Sequence, residues 1–225
     1  MDPNSATENL QVIRTLMERS ALYRRALAPV MLCAGVLGIA GGFIGNQFHL
    51  SSSSAFVTFW FAIAAIVIGI SLLIVRRQAL RSQEPFLTPP TRQVIRAMTP
   101  PLVAGFLITL GPGVADFKAA FWPGLVVAWP MLYGCALHSA GLFVSRGVTL
   151  LGWSFISASA VIWVMFLSTP ITVDSVSEPS IWLQPHTLMG LTFGGLHLLA
   201  GLYLYATEKR KNAQRIPNRF FSPTA

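Results

Sequence analysis

His138 and His197 are the residues of this sequence best placed to do chemistry. Each lies inside a long apolar stretch, on a face otherwise lined by glycine. His186, Gly190, Gly194, His197 and Gly201 advance by four, four, three and four, so they share one stripe of a helix. Gly134, His138 and Gly141 repeat the device, and so do Gly35, Gly38, Gly42 and Gly45. Small residues at this spacing let helices approach closely, and a histidine on such a face points into a bundle. One chemistry open to that arrangement is axial ligation of a haem by His138 and His197, with glycines leaving room for the flat macrocycle. The plainer reading is that each imidazole makes an interhelical hydrogen bond and that no cofactor is held. We take the plainer reading as the expectation and the haem as the alternative.

Other chemistry finds less support. No Asp, Glu, Lys or Arg falls within the hydrocarbon part of any apolar stretch. Intramembrane charges mark proton relays and ion sites, so the composition argues against proton-coupled antiport, ion pumping and aspartyl-type proteolysis. Serine proteolysis needs a nucleophile framed by a base, and no motif supplies that frame. Cys33 and Cys135 lie in apolar segments without CxxC or Cys/His spacing, as small buried hydrophobes do. Asp116, Lys118, Asp174 and Glu178 are too sparse for a metal, because hard cations want several converging oxygens. Trp122-Pro123 and Trp129-Pro130 imply a kinked helix with a packed aromatic face. Catalytic residues, a metal and an enzyme activity are therefore not expected.

The elements that must position these groups are membrane spans. Hydrophobic residues make up 53% of the chain and charged residues 11%, with positive mean hydropathy, which is the composition of a polytopic membrane protein. Six apolar stretches are expected to span, at about 27–45, 55–75, 97–114, 121–144, 147–168 and 185–206. The cations alternate around them. Arg14, Arg19, Arg24 and Arg25 precede the first stretch, and Arg76, Arg77, Arg81, Arg92 and Arg96 lie between the second and third. Arg146 separates the fourth and fifth, and Lys209, Arg210, Lys211, Arg215 and Arg219 follow the sixth. Fifteen of sixteen Lys and Arg thus fall on one side, Lys118 being the exception. Cations near span ends stay cytoplasmic, so both termini are expected inside a bacterial inner membrane. The net charge of +8 is accounted for by topology and anionic lipid headgroups, not by nucleic acid, since no basic segment forms a recognition module.

Residues 1–26 read as a cytoplasmic amphipathic lead and 207–225 as a basic cytoplasmic tail. Ser5 and Glu8 have capping-box spacing, and Leu10, Ile13, Met17 and Ala21 recur at helical intervals, as in a helix lying on the bilayer. Glu8 and Glu18 make this lead unlike a cleavable signal, so the first span reads as a retained signal-anchor. The second span is expected to stop sharply at Arg76-Arg77. The third is the short one: Ala97 to Leu110 covers only about 21 Å before Gly111-Pro112-Gly113, against a hydrocarbon core of roughly 30 Å. Charge alternation nevertheless requires it to cross, because without it the basic tail would lie on the wrong side. Thr91 to Met98 is expected to run into it as a short basic helix.

Ile13-Arg14-Thr15-Leu16-Met17-Glu18-Arg19-Ser20, the Arg76-Arg77 pair, and Gly194-Gly195-Leu196-His197 through Gly201-Leu202-Tyr203 resemble a group of uncharacterised bacterial membrane proteins. In that group an IRxxMERS lead precedes about six spans and GxLHxxxGLxxY marks the last. The resemblance covers most of the chain, brings no established activity, and implies a signalling or stress role through neighbouring winged-helix regulators. The sequence thus points to an all-α helix bundle acting as a sensor or as an accessory subunit, with a membrane-protein partner or a second copy. A small-molecule permease and a haem-carrying electron-transfer subunit stand behind it.

Overall fold

The computed structural model describes residues 27–48, 50, 52–83, 89–110, 121–168 and 184–215. The expected N-terminal lead, the Gly111-Pro112-Gly113 turn, the link carrying Asp174 and Glu178, and the end of the tail lie outside them. The described residues are helical throughout, apart from short connections. In chain order the helices are α1 (Leu27–Gln47), α2 (Ser53–Ser82), α3 (Pro89–Thr109), α4 (Phe121–Val144) and α5 (Arg146–Ser168). A last helix begins as α6 (Pro185–Met189), widens into a π-helical segment (Gly190–Gly195) and continues as α7 (Leu196–Arg215).

Five of these helices are long and apolar enough to cross a membrane: Leu27–Gln47, Ser54–Arg81, Gly124–Val144, Arg146–Ser168 and Pro185–Thr207. The expected third span corresponds to α3, which is not among the five. Its first turns carry Arg92 and Arg96, and Pro100 and Pro101 sit inside it. The second helix also departs from expectation, continuing past Arg76-Arg77 to Ser82. Arginine, glutamine, alanine and leucine all favour helix, so the cations end the apolar surface without ending the helix. Arg81 occupies its last turn, and Gln83 closes it in the left-handed conformation at φ 53°, its N–H reaching the carbonyls of Ala79 and Leu80.

The α3–α4 and α4–α5 pairs and the α1–last helix pair pack antiparallel, whereas α4 and the last helix run parallel. Ser145 alone joins α4 to α5, its carbonyl accepting from Val148 and Thr149. Along α3 and α4, Gly105 approaches Leu132, and Trp129 Nε1 donates to Thr109 Oγ1 at 3.0 Å. One core layer gathers Phe56, Trp60, Leu125, Val126, Ile162 and Met189. A second holds Met31, Leu137, Val148, Leu151 and Phe155. Phe193, in the π-helical segment, packs against both. Arg76, Arg77, Arg81, Arg92, Arg96 and Arg146 are exposed at the end of the bundle nearer the second layer. Elsewhere the surface is strongly apolar, as bilayer-facing helices are: Leu72, Leu107, Leu150 and Leu167 are all more than half exposed.

Candidate functional site

The interior is built around two glycine seams and two buried histidines. In the first seam α1 lies against the last helix. A Cβ added at Gly38 would come within 2.6 Å of Gly194 Cα, and one at Gly42 within 2.8 Å of Gly190 Cα. Gly35 meets the backbone of Leu198 and Gly201 that of Leu32, while Gly45 faces the ring of His186. In the second seam a Cβ at Gly134 would reach the Gly152 carbonyl at 2.7 Å, and one at Gly141 the Thr149 amide at 2.5 Å. Eight of the nine glycines singled out in the sequence therefore stand where another helix approaches too closely for a side chain, and the ninth, Gly190, would put a Cβ in tight contact at 3.0 Å from Gly42 Cα. Gly152 belongs with them although its own helix shows no glycine stripe. A Cβ there would lie 2.5 Å from His138 N.

His197 is 4% exposed. Its Nδ1–H donates to the Phe193 carbonyl at 2.6 Å. In the neutral ring that leaves Nε2 as the acceptor of the Tyr133 hydroxyl at 2.9 Å. Rings of Phe155 and Phe193 enclose it, the latter stacked. Both nitrogens are spent inside the protein. His138 differs. Its ring stands edge-on to Trp153 of α5, a residue more than half exposed, and its Nδ1 is buried without a hydrogen-bond partner among the described residues. The two histidines of the alternative haem reading share no described neighbour ring. They sit in different seams, because α5 packs on the His138 face of α4 whereas Tyr133 reaches across to the last helix.

The residue that sequence reasoning underrated is His186, also 4% exposed. Trp60 Nε1–H donates to its Nδ1 at 3.2 Å, so its Nε2 carries the hydrogen donated to the Leu50 carbonyl at 3.1 Å. Trp60 stacks on the ring, Phe56 is tilted at 5.0 Å and Phe59 stands edge-on at 5.5 Å. Beside it Asn46 donates to the Thr187 hydroxyl at 2.7 Å. This cluster ties the start of the last helix to both α1 and α2. The available clue was phase: His186 falls in step with Gly190 and Gly194, so it had to face the same neighbour.

No protein-family model, curated protein or solved structure matches the chain.

Between the two histidines lies the π-helical segment. Its Gly190, Thr192, Gly194 and Gly195 are weak helix formers, and the Thr192 hydroxyl donates back to the Leu188 carbonyl at 2.8 Å, loosening the regular ladder. Such segments occur frequently at functional sites. Here it sits where α1 touches the last helix backbone to backbone, flanked by one hydrogen-bonded histidine on each side. Rotation of this segment would alter both histidine contacts together. No group of three or more His, Cys, Asp or Glu capable of holding a metal occurs among the described residues.

Proposed function

We propose that this is a non-enzymatic protein of a bacterial inner membrane, crossing six times with both termini cytoplasmic, and working as a sensor or accessory subunit of a membrane complex. The observation carrying this reading is the closed polar interior. The ring nitrogens of His186 and His197 are satisfied by Trp60, Leu50, Tyr133 and Phe193 within the bundle. Backbone-tight seams flank them, an arrangement suited to transmitting a change in helix packing.

Crossing by α3 is supported by its 21 residues, about 32 Å at the usual rise, and by exposed Leu102, Val103, Phe106 and Leu107 along it. The orientation is supported by the six exposed arginines at one end. The experiment is affinity capture after crosslinking in native membranes. A partner membrane protein recovered at fixed stoichiometry is the expected result. Recovery of the chain alone, together with solute uptake by proteoliposomes containing it, would favour a permease instead.

A further inference from the structure

Among the described residues, Nδ1 of His138 is the buried side-chain nitrogen left without a partner, and it lies in the α4–α5 seam. The register of that seam fixes its surroundings. A Cβ at Gly152 would meet the His138 backbone and one at Gly141 the Thr149 backbone, so 138 lies opposite 152 and 141 opposite 149. Trp153, next to Gly152, stands beside His138 at the outer edge of the seam, with ring centroids 5.4 Å apart. One turn nearer the Arg146 end, Leu142 follows His138 on α4 and Leu150 precedes Trp153 on α5. In the other direction Ser157, Val161 and Val164 continue the stripe of Trp153. All of these neighbours are exposed.

The His138 ring is only partly buried, and neither of its nitrogens is hydrogen-bonded among the described residues. A neutral imidazole carries one N–H. Buried donors without an acceptor are rarer than buried acceptors without a donor, which puts the hydrogen on Nε2 and leaves the enclosed Nδ1 as a lone pair. The indole N–H of Trp153 also lacks a hydrogen bond among the described residues. Two donors thus stand together in an apolar setting, where water is not at hand to accept from them. Their own helices do not answer them. Neither α4 nor α5 contains Asp, Glu, Asn or Gln, and the Ser154 hydroxyl is turned back to the Leu150 carbonyl.

We propose that this edge of the seam holds the head ring of a lipoquinone, a flat ring bearing two carbonyls on an isoprenoid tail. His138 Nε2–H donates to one carbonyl, Trp153 lies against the ring, and the tail follows Val161 and Val164. The site rests on the membrane reading above and gives it a ligand. Depth favours this occupant over phospholipid. His138 lies six residues before the end of α4 at Val144, about 9 Å at the usual rise. Ester carbonyls of phospholipids sit at the headgroup boundary, which the exposed Arg146 marks, whereas a quinone ring enters the hydrocarbon. A second copy docked on a two-fold axis at His138 would set donors against donors. An aromatic neighbour suits a flat conjugated ring.

The full-length chain is reconstituted in phosphatidylcholine nanodiscs and titrated with decylubiquinone, read by quenching of tryptophan fluorescence. Wild type should show a saturable component above the linear quenching by partitioned quinone. His138→Leu should weaken that binding about tenfold, the loss of one hydrogen bond. His138→Gln, which keeps an N–H donor, should retain most of it. Trp153→Phe should remove the saturable quench, because the ring lies against that indole. Trp163→Phe, about 15 Å along the same helix, and Arg146→Gln should leave it intact. His138→Leu should also be no less stable than wild type, since it removes a polar atom that had no partner. Linear quenching alone, equal affinity in His138→Leu, or a marked loss of stability in that variant overturns the site. Saturable binding only in ether-linked lipid, which lacks ester carbonyls, would give the donor to phospholipid. A crosslinked dimer broken by His138→Leu would give it to a second copy; either result equally overturns the quinone. Alkaline extraction of cell membranes reads the underlying assumption separately. Release of the chain there would sink the membrane reading, whereas a retained chain without saturable quinone binding sinks only this site.

Discussion

The Tyr133 hydroxyl lies 2.9 Å from Nε2 of His197, and this contact ties α4 to the last helix at the depth where Phe155 and Phe193 enclose both rings. With Nδ1 held by the Phe193 carbonyl, the imidazole has no nitrogen left for a ligand. The purified protein is accordingly expected to be colourless. A stoichiometric haem band that disappears in both His138→Gln and His197→Gln would reverse that assignment. Tyr133→Phe leaves the buried Nε2 without its donor and should cost about 1–3 kcal/mol, measured by unfolding in mixed micelles.

The α1 seam should be intolerant of any side chain. At Gly38 and Gly194 an added Cβ meets backbone, which cannot rotate away. Leucine at either position should cost roughly 1–3 kcal/mol, and alanine should also be felt. Gly69 has nothing within 4 Å of its Cβ position and serves as the control. If Gly38→Leu and Gly69→Leu unfold at the same denaturant concentration, the seam does not exist as described.

At His186 the weak point is the donor from Trp60. Trp60→Phe keeps an aromatic ring but leaves Nδ1 buried without its hydrogen bond, at a cost of about 1–3 kcal/mol. The change should also loosen the attachment of α2, so hydrogen exchange ought to rise at the start of that helix. Unchanged stability and exchange would show that the Trp60 bond contributes nothing.

Much of this arrangement is legible in the sequence because glycine spacing is a local property. Gly35, Gly38 and Gly42 must share a helix face, and so must Gly190, Gly194 and Gly201. That the two stripes meet each other is tertiary information. So is the difference between His138 and His197, which look equivalent by sequence, each set among glycines in an apolar stretch. Only packing sends one ring to Trp153 and the other to Tyr133. The π-helical segment was hidden because its cause, low helix propensity combined with back-bonding by Thr192, does not alter hydrophobic period. The extension of α2 to Ser82 was missed for a simpler reason. Charge marks where an apolar surface stops, and a helix outlasts it wherever its residues favour helix.

The remaining prediction concerns α3, on which the position of the C-terminus depends. If α3 crosses, the chain makes six passes and residues after α7 lie on the side of Arg76 and Arg77. If it does not, the two groups of cations are on opposite sides. Its 21 residues suffice in length, but the first turns carry Arg92 and Arg96, so the apolar part needs their side chains to extend toward the headgroups. Packing favours crossing, since Trp129 donates to Thr109 and Gly105 faces Leu132 along α4, itself long and apolar enough to span. A reporter active only outside the cytoplasm should therefore give signal when fused after His49 or Val176, and none after Gln83 or Asn212. Activity at Asn212 with silence at Gln83 would mean an odd number of passes. It would make α3 a segment packed on α4 without traversing the bilayer.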